Sequence, residues 1–449
     1  MADIHPFRAF RYDPHQVSPA QVVTQPYDKI TPALQDRYYA ASPHNLVRII
    51  LGRREENDNA GNNVGNNVYS RAAAYFRDWR QEGVLRQDQD PSVYVYSQRF
   101  TLPGSTNQGS TKEMERRGFI ALGKIEDYSA GVVFRHEQTL AKPKADRLDL
   151  LRATRAHFGQ IFVLYEDSGH VESLLATDTD PDISVADEYG VMHRVWRVSD
   201  PGLIGSIRTA MSDKKLIIAD GHHRYETALT YRNERRAADS SSAASGSGAS
   251  SSPYEFVMMT FVNMNSPGLL ILPTHRLVHG LASFSEENFR KSARAFFDVD
   301  EIDASLDARC AATILRESGR SGTSILAVTA RRAFLLHHPN PLADVFAGMS
   351  LRQQDLDVVQ LHKCLLERVL QLSEESIRNQ ENISYVRDAG EALSQVRGGG
   401  GAGANIAFLM NPCRMAQVRD IAFAGEVMPQ KSTDFYPKLL SGLTVYALD

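Results

Sequence analysis

The chain has 449 residues, of which 42% are hydrophobic and 23% are charged, and its formal net charge is −4. This composition is typical of a globular protein with two domains, or one domain with large insertions, and it argues against a dedicated nucleic-acid-binding protein. The three cysteines, Cys310, Cys364 and Cys413, form no CxxC pattern, which indicates a reducing compartment and no disulfide framework. No apolar run is long enough to cross a bilayer, and the charged N-terminus is unlike a secretory signal, so we expect a cytoplasmic protein.

The N-terminal part of the chain predicts irregular structure followed by a helix and a hairpin. Six prolines lie between aromatic residues in 1–50, which is typical of a wrapping segment without regular layers. The low-complexity composition of 57–67 predicts an exposed loop, and helical spacing predicts a helix over Ser70–Glu82. Val93–Leu102 and Arg117–Glu126 are β-prone runs joined by a polar loop, so they predict two hairpin strands.

The segment 214–236 predicts a strand, a one-glycine turn and a helix. The apolar run Leu216–Ala219 suits a buried strand, which Asp220 and Gly221 end. A helix that begins directly after Gly221 would direct its free N–H groups and its positive dipole end toward whatever lies above the strand. Further donors and positive charge come from His222, His223 and Arg224. Such a turn is suited to an anion, most often a phosphate, although an ordinary structural turn is the alternative.

Asp220 needs a separate explanation because a carboxylate beside a phosphate site repels the ligand. The repulsion is avoided if Asp220 holds a metal ion or takes a proton during a reaction. Asp220 is therefore a candidate metal ligand and a candidate general base.

The strand candidate Phe256–Val262 follows this helix. The segment 216–262 would then form a β-α-β unit, which is normally right-handed with parallel strands. The serine- and glycine-rich tract 240–252 interrupts the unit, and its composition predicts a flexible insertion.

The C-terminal third mixes helix and strand patterns. Ile325–Val328 and Ala333–Leu336 predict another hairpin. An apolar helical stripe from Val358 to Leu372 predicts core packing without chemistry, and 398–403 is a second flexible insertion.

Other polar residues are candidates for a site. Glu137 is flanked by cations, so it would stay ionised and could act as a general base, whereas a solvated charged loop is the alternative. His275 and Arg276 follow an apolar run, where they could face a cleft or form an ordinary turn. Tyr27 and Asp28 could cap a turn or line the site.

The segment Gly425–Thr433 resembles a P-loop only superficially. Gln430 stands where the second glycine is required, and Pro429 removes an N–H group from the loop. We therefore reject a Walker site. A cation and two hydroxyls could still reach a site built elsewhere, from Lys431, Ser432 and Thr433.

Six segments, in order along the chain, resemble the signatures of the domain-of-unknown-function family 1015. They are HPFRAFRYDP at 5–14, QPYD at 25–28, RHEQT at 135–139, IADGHHRYETAL at 218–229, PTHR at 273–276 and MPQKSTDFYPKLLSGL at 428–443. The resemblance spans nearly the whole chain, and the tracts at 57–67, 240–252 and 398–403 resemble insertions in it.

This family is related to the free-serine kinases called SerK, which share a ParB/sulfiredoxin-like fold whose DGHxR turn binds nucleotide phosphates. The resemblance implies a mixed α/β (α+β) protein, with a ParB/sulfiredoxin-like nucleotide-binding domain over 1–279 and a second α/β region over 280–449. It also implies that an acidic residue upstream of the turn takes the serine hydroxyl proton, and Glu137 is the match by motif. The implied phosphate-binding residues are Gly221, His222, His223 and Arg224, with Lys431, Ser432 and Thr433 as further candidates.

The leading hypothesis is a nucleotide-dependent kinase that acts on a small hydroxyl compound, with free L-serine as the first substrate. It would use ATP or ADP and Mg²⁺, and its substrate site would include Tyr27, Asp28, His275 and Arg276. The alternative is a ParB-like nucleotide-binding switch without kinase activity, although the sequence has no helix-turn-helix pattern or basic stripe to support DNA binding. A metal-dependent hydrolase ranks last, because adjacent histidines cannot easily ligate from one helix face; its ligands would be His136, His222, His223 and His275.

Overall fold

The computed structural model describes residues 1–59, 66–102, 113–138, 142–241, 252–340, 343–398 and 403–449. The chain forms two compact units. Unit 1 contains Met1–Arg135, Thr139–Leu270 and Pro437–Asp449, and unit 2 contains His136–Gln138 and Ile271–Tyr436. The functional domains predicted over 1–279 and 280–449 stay predictions. The compact units have other bounds, because 271–279 belong to unit 2 and 437–449 belong to unit 1.

Unit 1 is built on a nine-stranded mixed sheet with two short strand pairs beside it. Its strands are β1 (Ile4–His5), β2 (Phe10–Tyr12), β3 (Leu85–Gln87), β4 (Val93–Thr101), β5 (Glu113–Lys124), β6 (Val133–Phe134), β7 (Ala156–His157), β8 (Ile161–Tyr165), β9 (Ile183–Ala186), β10 (Met192–Val198), β11 (Leu216–Asp220), β12 (Phe256–Asn263) and the terminal strand Tyr446–Ala447. The sheet order is β6-β11-β8-β12-β5-β4-β10-β9, and β1 pairs with β5. The hairpin predicted from the two β-prone runs is confirmed by the antiparallel pairing of β4 with β5, whereas most of their connection, 103–112, lies outside the described residues.

Eight α-helices belong to the described part of unit 1. They are α1 (Pro19–Val22), α2 (Pro32–Ala41), α3 (Val47–Ile50), α4 (Val68–Gln81), α5 (Lys142–Thr154), α6 (His170–Leu174), α7 (Pro201–Met211) and α8 (His222–Ser241). The prediction of an irregular segment over 1–50 is therefore wrong in part. Two of its prolines, Pro19 and Pro32, begin helices, because proline's fixed φ suits the first helical position and its missing N–H has no intrahelical partner there.

The helix predicted over Ser70–Glu82 is confirmed as α4. Its start is fixed by Asn67, whose side-chain oxygen accepts hydrogen bonds from the N–H groups of Tyr69 and Ser70 at 2.9 Å. The low-complexity tract 57–67 thus supplies a helix cap at one end and a short 3₁₀ turn, Glu56–Asn59, at the other. Its centre, 60–65, lies outside the described residues, as does 242–251 of the second tract.

The predicted parallel β-α-β unit over 216–262 is wrong. β11 runs antiparallel to β8, and β12 runs parallel to β8, so β11 and β12 run in opposite directions. The handedness rule applies only to parallel strands joined by a crossover, and here β8, from an earlier part of the chain, lies between the two strands. The local strand and helix assignments are confirmed even though their pairing is not.

Unit 2 contains a six-stranded antiparallel sheet. Its strands and the neighbouring short ones are β13 (Leu270–Leu272), β14 (His275–Val278), β15 (Asp298–Ile302), β16 (Ser324–Val328), β17 (Ala333–His337), β18 (Ile383–Val386), β19 (Ile406–Met410) and β20 (Asp434–Tyr436), the first of which begins at the last residue of unit 1. The sheet order is β15-β17-β16-β19-β14-β18, and the hairpin predicted for β16 and β17 is confirmed. Together the two mixed sets of strands and helices confirm the α/β class, whereas the ParB/sulfiredoxin-like assignment stays a prediction.

The helices of unit 2 are α9 (Glu286–Ala293), α10 (Ala308–Ser318), α11 (Leu351–Gln354), α12 (Asp357–Gln360), α13 (Glu374–Asn379), α14 (Ala389–Arg397) and α15 (Met415–Phe423). α12 continues directly into a π-helix over Leu361–Val369, so the predicted apolar stripe is helical and largely buried, but its second half has wider turns than an α-helix. Of the insertion predicted over 398–403, residues 399–402 lie outside the described residues. Within the described ranges, no helix combines the length and the apolarity that spanning a membrane requires.

Candidate functional site

The segment 216–241 folds as the sequence predicts, into a strand, a one-residue turn and a helix. Gly221 has φ +92°, a conformation that side chains rarely adopt, and it lies between β11 and α8. A Cβ atom on Gly221 would lie 2.8 Å from Nε of Arg224, so glycine also leaves room for that guanidinium. Tyr225 anchors the first turn of α8, because its hydroxyl donates a hydrogen bond to the Glu126 carbonyl at 2.6 Å. The first two helical residues, His222 and His223, are half-buried.

Asp220 lies in a group of cations. Nη2 of Arg224 is 3.2 Å from one carboxylate oxygen, and Nζ of Lys438 is 3.9 Å from the other. Burial acts to raise the pKa of Asp220, but the charges of Lys438, Arg224, Lys29 and His222 outweigh it and hold the pKa far below the usual 3.8. The carboxylate is thus ionised at neutral pH and is a weak proton acceptor. It is a donor of the kind that Mg²⁺ prefers, and both proposed functions of Asp220 stay predictions.

An Asp220→Asn protein should show a weaker loss of stability in acid than the unaltered chain. Because the folded-state pKa is lowered, the charge interactions of Asp220 stabilise the folded protein above about pH 4. This stabilisation decreases as the pH falls further. We expect the unfolding free energies of the two proteins to differ by on the order of 2 kcal/mol at pH 6, and we expect this difference to shrink steadily as the pH falls below about 4. Urea unfolding at several pH values measures this. The exposed Asp213→Asn serves as control, and equal pH slopes in all three proteins would contradict the prediction.

Lys438 is a site residue that the sequence reasoning missed, and buried side chains hold its backbone. Arg116 is 1% exposed and donates hydrogen bonds to the Pro437 carbonyl and to Oε1 of Gln98. Gln98 donates in turn to the Lys438 carbonyl at 2.8 Å. The guanidinium of Arg116 also lies 4.7 Å from the centre of the Phe162 ring. These contacts fix the backbone of Pro437 and Lys438, which places the Lys438 ammonium opposite Asp220.

A pocket in unit 1 adjoins the turn, because Arg224 lines both. The volume of this pocket, including its open mouth, is about 540 Å³. Its walls are largely apolar and aromatic, and they include Leu150, Phe158 and Tyr27. Nε of Arg224 and Oγ1 of Thr227 are buried, and neither has a hydrogen-bond partner among the described residues. Buried polar atoms are nearly always paired, so these two donors are the groups of the pocket to which acceptor atoms of a ligand could bind.

Of the two predicted residues Tyr27 and Asp28, only Tyr27 lines the pocket. Both belong to the 3₁₀ turn Tyr27–Lys29, so the turn that the sequence indicated is present. Tyr27 lines the pocket, and the guanidinium of Arg147 lies 4.3 Å from its ring centre. Asp28 is exposed and does not line the pocket, whereas Lys29, which the sequence reasoning did not select, helps to lower the pKa of Asp220.

The other predicted residues belong to unit 2, where two motifs meet. Oε1 of Glu137 accepts a hydrogen bond from the Lys431 N–H group at 2.7 Å, and Nε2 of His136 lies 2.8 Å from the Thr433 hydroxyl. The Ser432 hydroxyl donates to the Pro429 carbonyl at 2.6 Å. These contacts build the loop around Lys431, whose φ of +59° is unusual for a residue with a side chain. A role of this loop in nucleotide binding stays a prediction.

His275 and Arg276 are buried, at 3% and 2% exposure. Burial and the neighbouring Arg276 lower the pKa of His275 to about 4, so its imidazole is neutral at pH 7, and its Nδ1 accepts a hydrogen bond from the Met410 N–H group. Arg276 donates to the carbonyls of Lys431 and Thr274. Arg276 therefore supports the loop, whereas His275 bonds to β19, and substrate binding by either stays a prediction.

Among the described residues, none of the four histidines of the hydrolase hypothesis belongs to a group of side chains that could share a metal ion; they are His136, His222, His223 and His275. Within the described ranges, the only three side chains whose ligand atoms lie close enough to share a metal ion are Asp298, His337 and His338.

The chain is thus a mixed α/β protein of two units, and unit 1 contains a strand–glycine–helix turn. A family model described as "Protein of unknown function (DUF1015)" matches residues 4–359, and the chain therefore belongs to this family, as the six segments predicted. No curated protein sequence matches the chain.

Solved structures with a detectable likeness include a conserved hypothetical protein from Pyrococcus furiosus, at 11% identity and TM-score 0.34, covering 68% of this chain and 86% of that one. They also include mutants of a free serine kinase in complex with AMP, at 10% identity, and with ADP, at 11% identity; for each the TM-score is 0.36 and the coverage is 69% of this chain and 89% of the other. These scores lie below 0.5, so the family match, rather than the structural likeness, defines the class of the chain.

Proposed function

We propose that unit 1 binds a nucleotide, with its phosphates at the turn Asp220–Arg224 and its base in the adjoining pocket. The observation that carries this proposal is the pair of buried, unpaired donors, Nε of Arg224 and Oγ1 of Thr227, between the cationic turn and the apolar pocket. Acceptor-rich phosphate and ribose groups would pair these atoms, and a flat base would cover the apolar walls.

The electrostatics of the turn support an anion. The positive end of the α8 dipole attracts negative charge, and Arg224 and Lys438 provide cations near it. Asp220 offsets only part of this charge. In the proposed complex it would hold Mg²⁺ together with phosphate oxygens, and the ion would supply charge stabilisation during transfer.

We further propose that the protein is a kinase for a small hydroxyl compound, with free L-serine as the first substrate to test. The serine hydroxyl oxygen would form a bond to the terminal phosphorus of ATP or ADP, the bond from that phosphorus to the bridging oxygen would break and release ADP or AMP, and the hydroxyl proton would pass to a carboxylate. The low pKa of Asp220 makes it a poor acceptor, so Glu137 is the better candidate base. Phosphoryl transfer depends mainly on positioning and charge stabilisation, which this set of groups could provide.

The direct test is calorimetric titration with AMP, ADP and ATP, followed by incubation with L-serine, Mg²⁺ and ATP or ADP. We expect saturable nucleotide binding and phosphoserine detectable by mass spectrometry. A Glu137→Gln protein should bind nucleotide as before and form at least about a hundredfold less product, since general base catalysis contributes about 10² to 10⁴.

The outcomes separate the two candidate functions. Binding without product from serine would favour the ParB-like nucleotide switch over the serine kinase. The absence of binding by all three nucleotides would refute the proposal for the turn itself.

A further inference from the structure

Unit 2 contains a second pocket, which none of the predicted site residues lines. The volume of this pocket, including its open mouth, is about 630 Å³. Its lining includes the apolar side chains of Met349, Val359 and Ile377, called the apolar wall below, together with charged and amide side chains. This combination is typical of a site for a small molecule that has both an apolar and a polar part.

The pocket contains a buried polar group without a partner. His362 is 8% exposed and lines the pocket, and its Nε2 has no hydrogen-bond partner among the residues that the structure describes. Burial and the nearby charge of Arg276 lower the pKa of His362 to about 3, so the ring is neutral at pH 7. A neutral imidazole can donate or accept one hydrogen bond at Nε2, which a ligand would supply.

The backbone around His362 is unusual in the same place. His362, Lys363 and Glu367 all belong to the π-helix over Leu361–Val369, which ends with a hydrogen bond from the Leu370 N–H group to the Leu365 carbonyl. π-helical turns are rare and occur frequently at functional sites. His362 and Glu367 are five residues apart, which is the hydrogen-bond spacing of a π-helix, and both line the pocket. The apolar stripe of this helix faces the core, as predicted, but its other face carries the polar lining.

The charges that line the pocket balance each other. Nζ of Lys363 lies 2.8 Å from Glu367 and 3.8 Å from Glu374, and Arg378 donates to Glu374 at 2.9 Å. The two cations and two carboxylates leave the lining without net charge, so a ligand with a single charge would be repelled by the lining groups of the same sign. A zwitterion can pair with both kinds of group, because its carboxylate can pair with a cation and its ammonium with a carboxylate.

We propose that this pocket binds a free amino acid with an apolar side chain, such as methionine, as a second ligand of the protein. The ammonium group pairs with Glu367, the carboxylate pairs with Lys363, and the apolar side chain contacts the wall formed by Met349, Val359 and Ile377. This proposal does not rest on nucleotide binding or on kinase activity in unit 1.

The test is calorimetric titration of the full chain with L-methionine up to about 10 mM, a range that detects dissociation constants near 1 mM. N-acetyl-L-methionine and L-methioninamide each lack one of the two charges and should bind at least about tenfold more weakly. L-serine is also zwitterionic but leaves the apolar wall uncovered, so it should bind more weakly than methionine.

Variants then assign the site. Glu367→Gln keeps the side-chain shape and should weaken L-methionine binding at least about tenfold, while leaving the weak binding of N-acetyl-L-methionine unchanged. Arg368→Gln lies on the same π-helix, does not line the pocket and should bind like the unaltered chain. Thermal unfolding of each variant checks that it is folded. If Glu367→Gln does not fold, the proposal is tested by comparing the binding of L-methionine, N-acetyl-L-methionine and L-methioninamide to the unaltered protein.

Two results would overturn the proposal. One is the absence of saturable binding by L-methionine. The other is equal binding of methionine, its acetyl derivative and its amide. Because the titration is done without nucleotide, neither result bears on the function proposed for unit 1.

Discussion

An Arg224→Met protein should bind ADP at least about a hundredfold more weakly than the unaltered chain. Arg224 lines the pocket, lies 3.2 Å from Asp220 and carries a buried Nε without a partner in the described structure, so it is the side chain that phosphate would contact most directly. Removing one partner of a desolvated charge pair costs about 2 to 5 kcal/mol. Methionine keeps the apolar part of the side chain, so the loss of ADP affinity measures the contribution of the guanidinium rather than that of packing.

Calorimetric titration with ADP measures this effect, and Arg235→Met is the matched control. Arg235 belongs to the same helix, α8, but its side chain is 42% exposed and pairs with Asp239 on the surface. Its replacement should change ADP affinity by less than about threefold. Equal affinities of the two variants would exclude Arg224 from the nucleotide site.

An Arg116→Met protein should lose about 3 kcal/mol of unfolding free energy and should also bind ADP more weakly. Methionine fills a similar volume, but Oε1 of Gln98 and the Pro437 carbonyl, which accept hydrogen bonds from Arg116, stay buried and lose that donor. Replacing a buried charge pair by apolar residues can be neutral when both partners are removed, and here the acceptors remain. The affinity falls because the backbone that positions Lys438 is no longer held.

Urea unfolding and ADP titration together test the prediction for Arg116. The control is Arg99→Met in β4, because Arg99 is 40% exposed and forms a surface ion pair with Glu115. We expect this control to lose less than about 1 kcal/mol and to keep its ADP affinity. A stable Arg116→Met protein with unchanged affinity would show that the buried guanidinium positions nothing.

The elements that the sequence predicted correctly depend on neighbouring residues. The turn at Gly221 follows from an apolar run, a glycine and a helical pattern within 26 residues, Leu216 to Ser241. The strands β4 and β5 are likewise set by local β-propensity. The pairing of β11 with β12 was predicted wrongly, because local patterns carry no information about β8, which lies between them.

The candidate site shows the same division between local and distant contributions. His222, His223 and Arg224 could be selected because they follow the glycine directly. Lys438 could not, since its place opposite Asp220 depends on Arg116 and Gln98, which come from strands far away in sequence. The one available signal was the segment 428–443, from which the sequence reasoning selected Lys431 rather than Lys438. The π-helix was missed because an apolar stripe has nearly the same spacing in both helix types.

The return of Pro437–Asp449 to unit 1 has a consequence for how the protein is made. Val445 pairs with Phe10, and Ser441 pairs with Thr24, so residues more than 400 positions apart in the chain are partners, and the later ones are synthesised well after the earlier ones. A ribosome adds about 5–20 residues per second, so the early part of unit 1 waits on the order of ten seconds or more for these partners while unit 2 emerges. During that interval the nascent chain exposes the surface that this segment later covers, and exposed apolar surface favours aggregation.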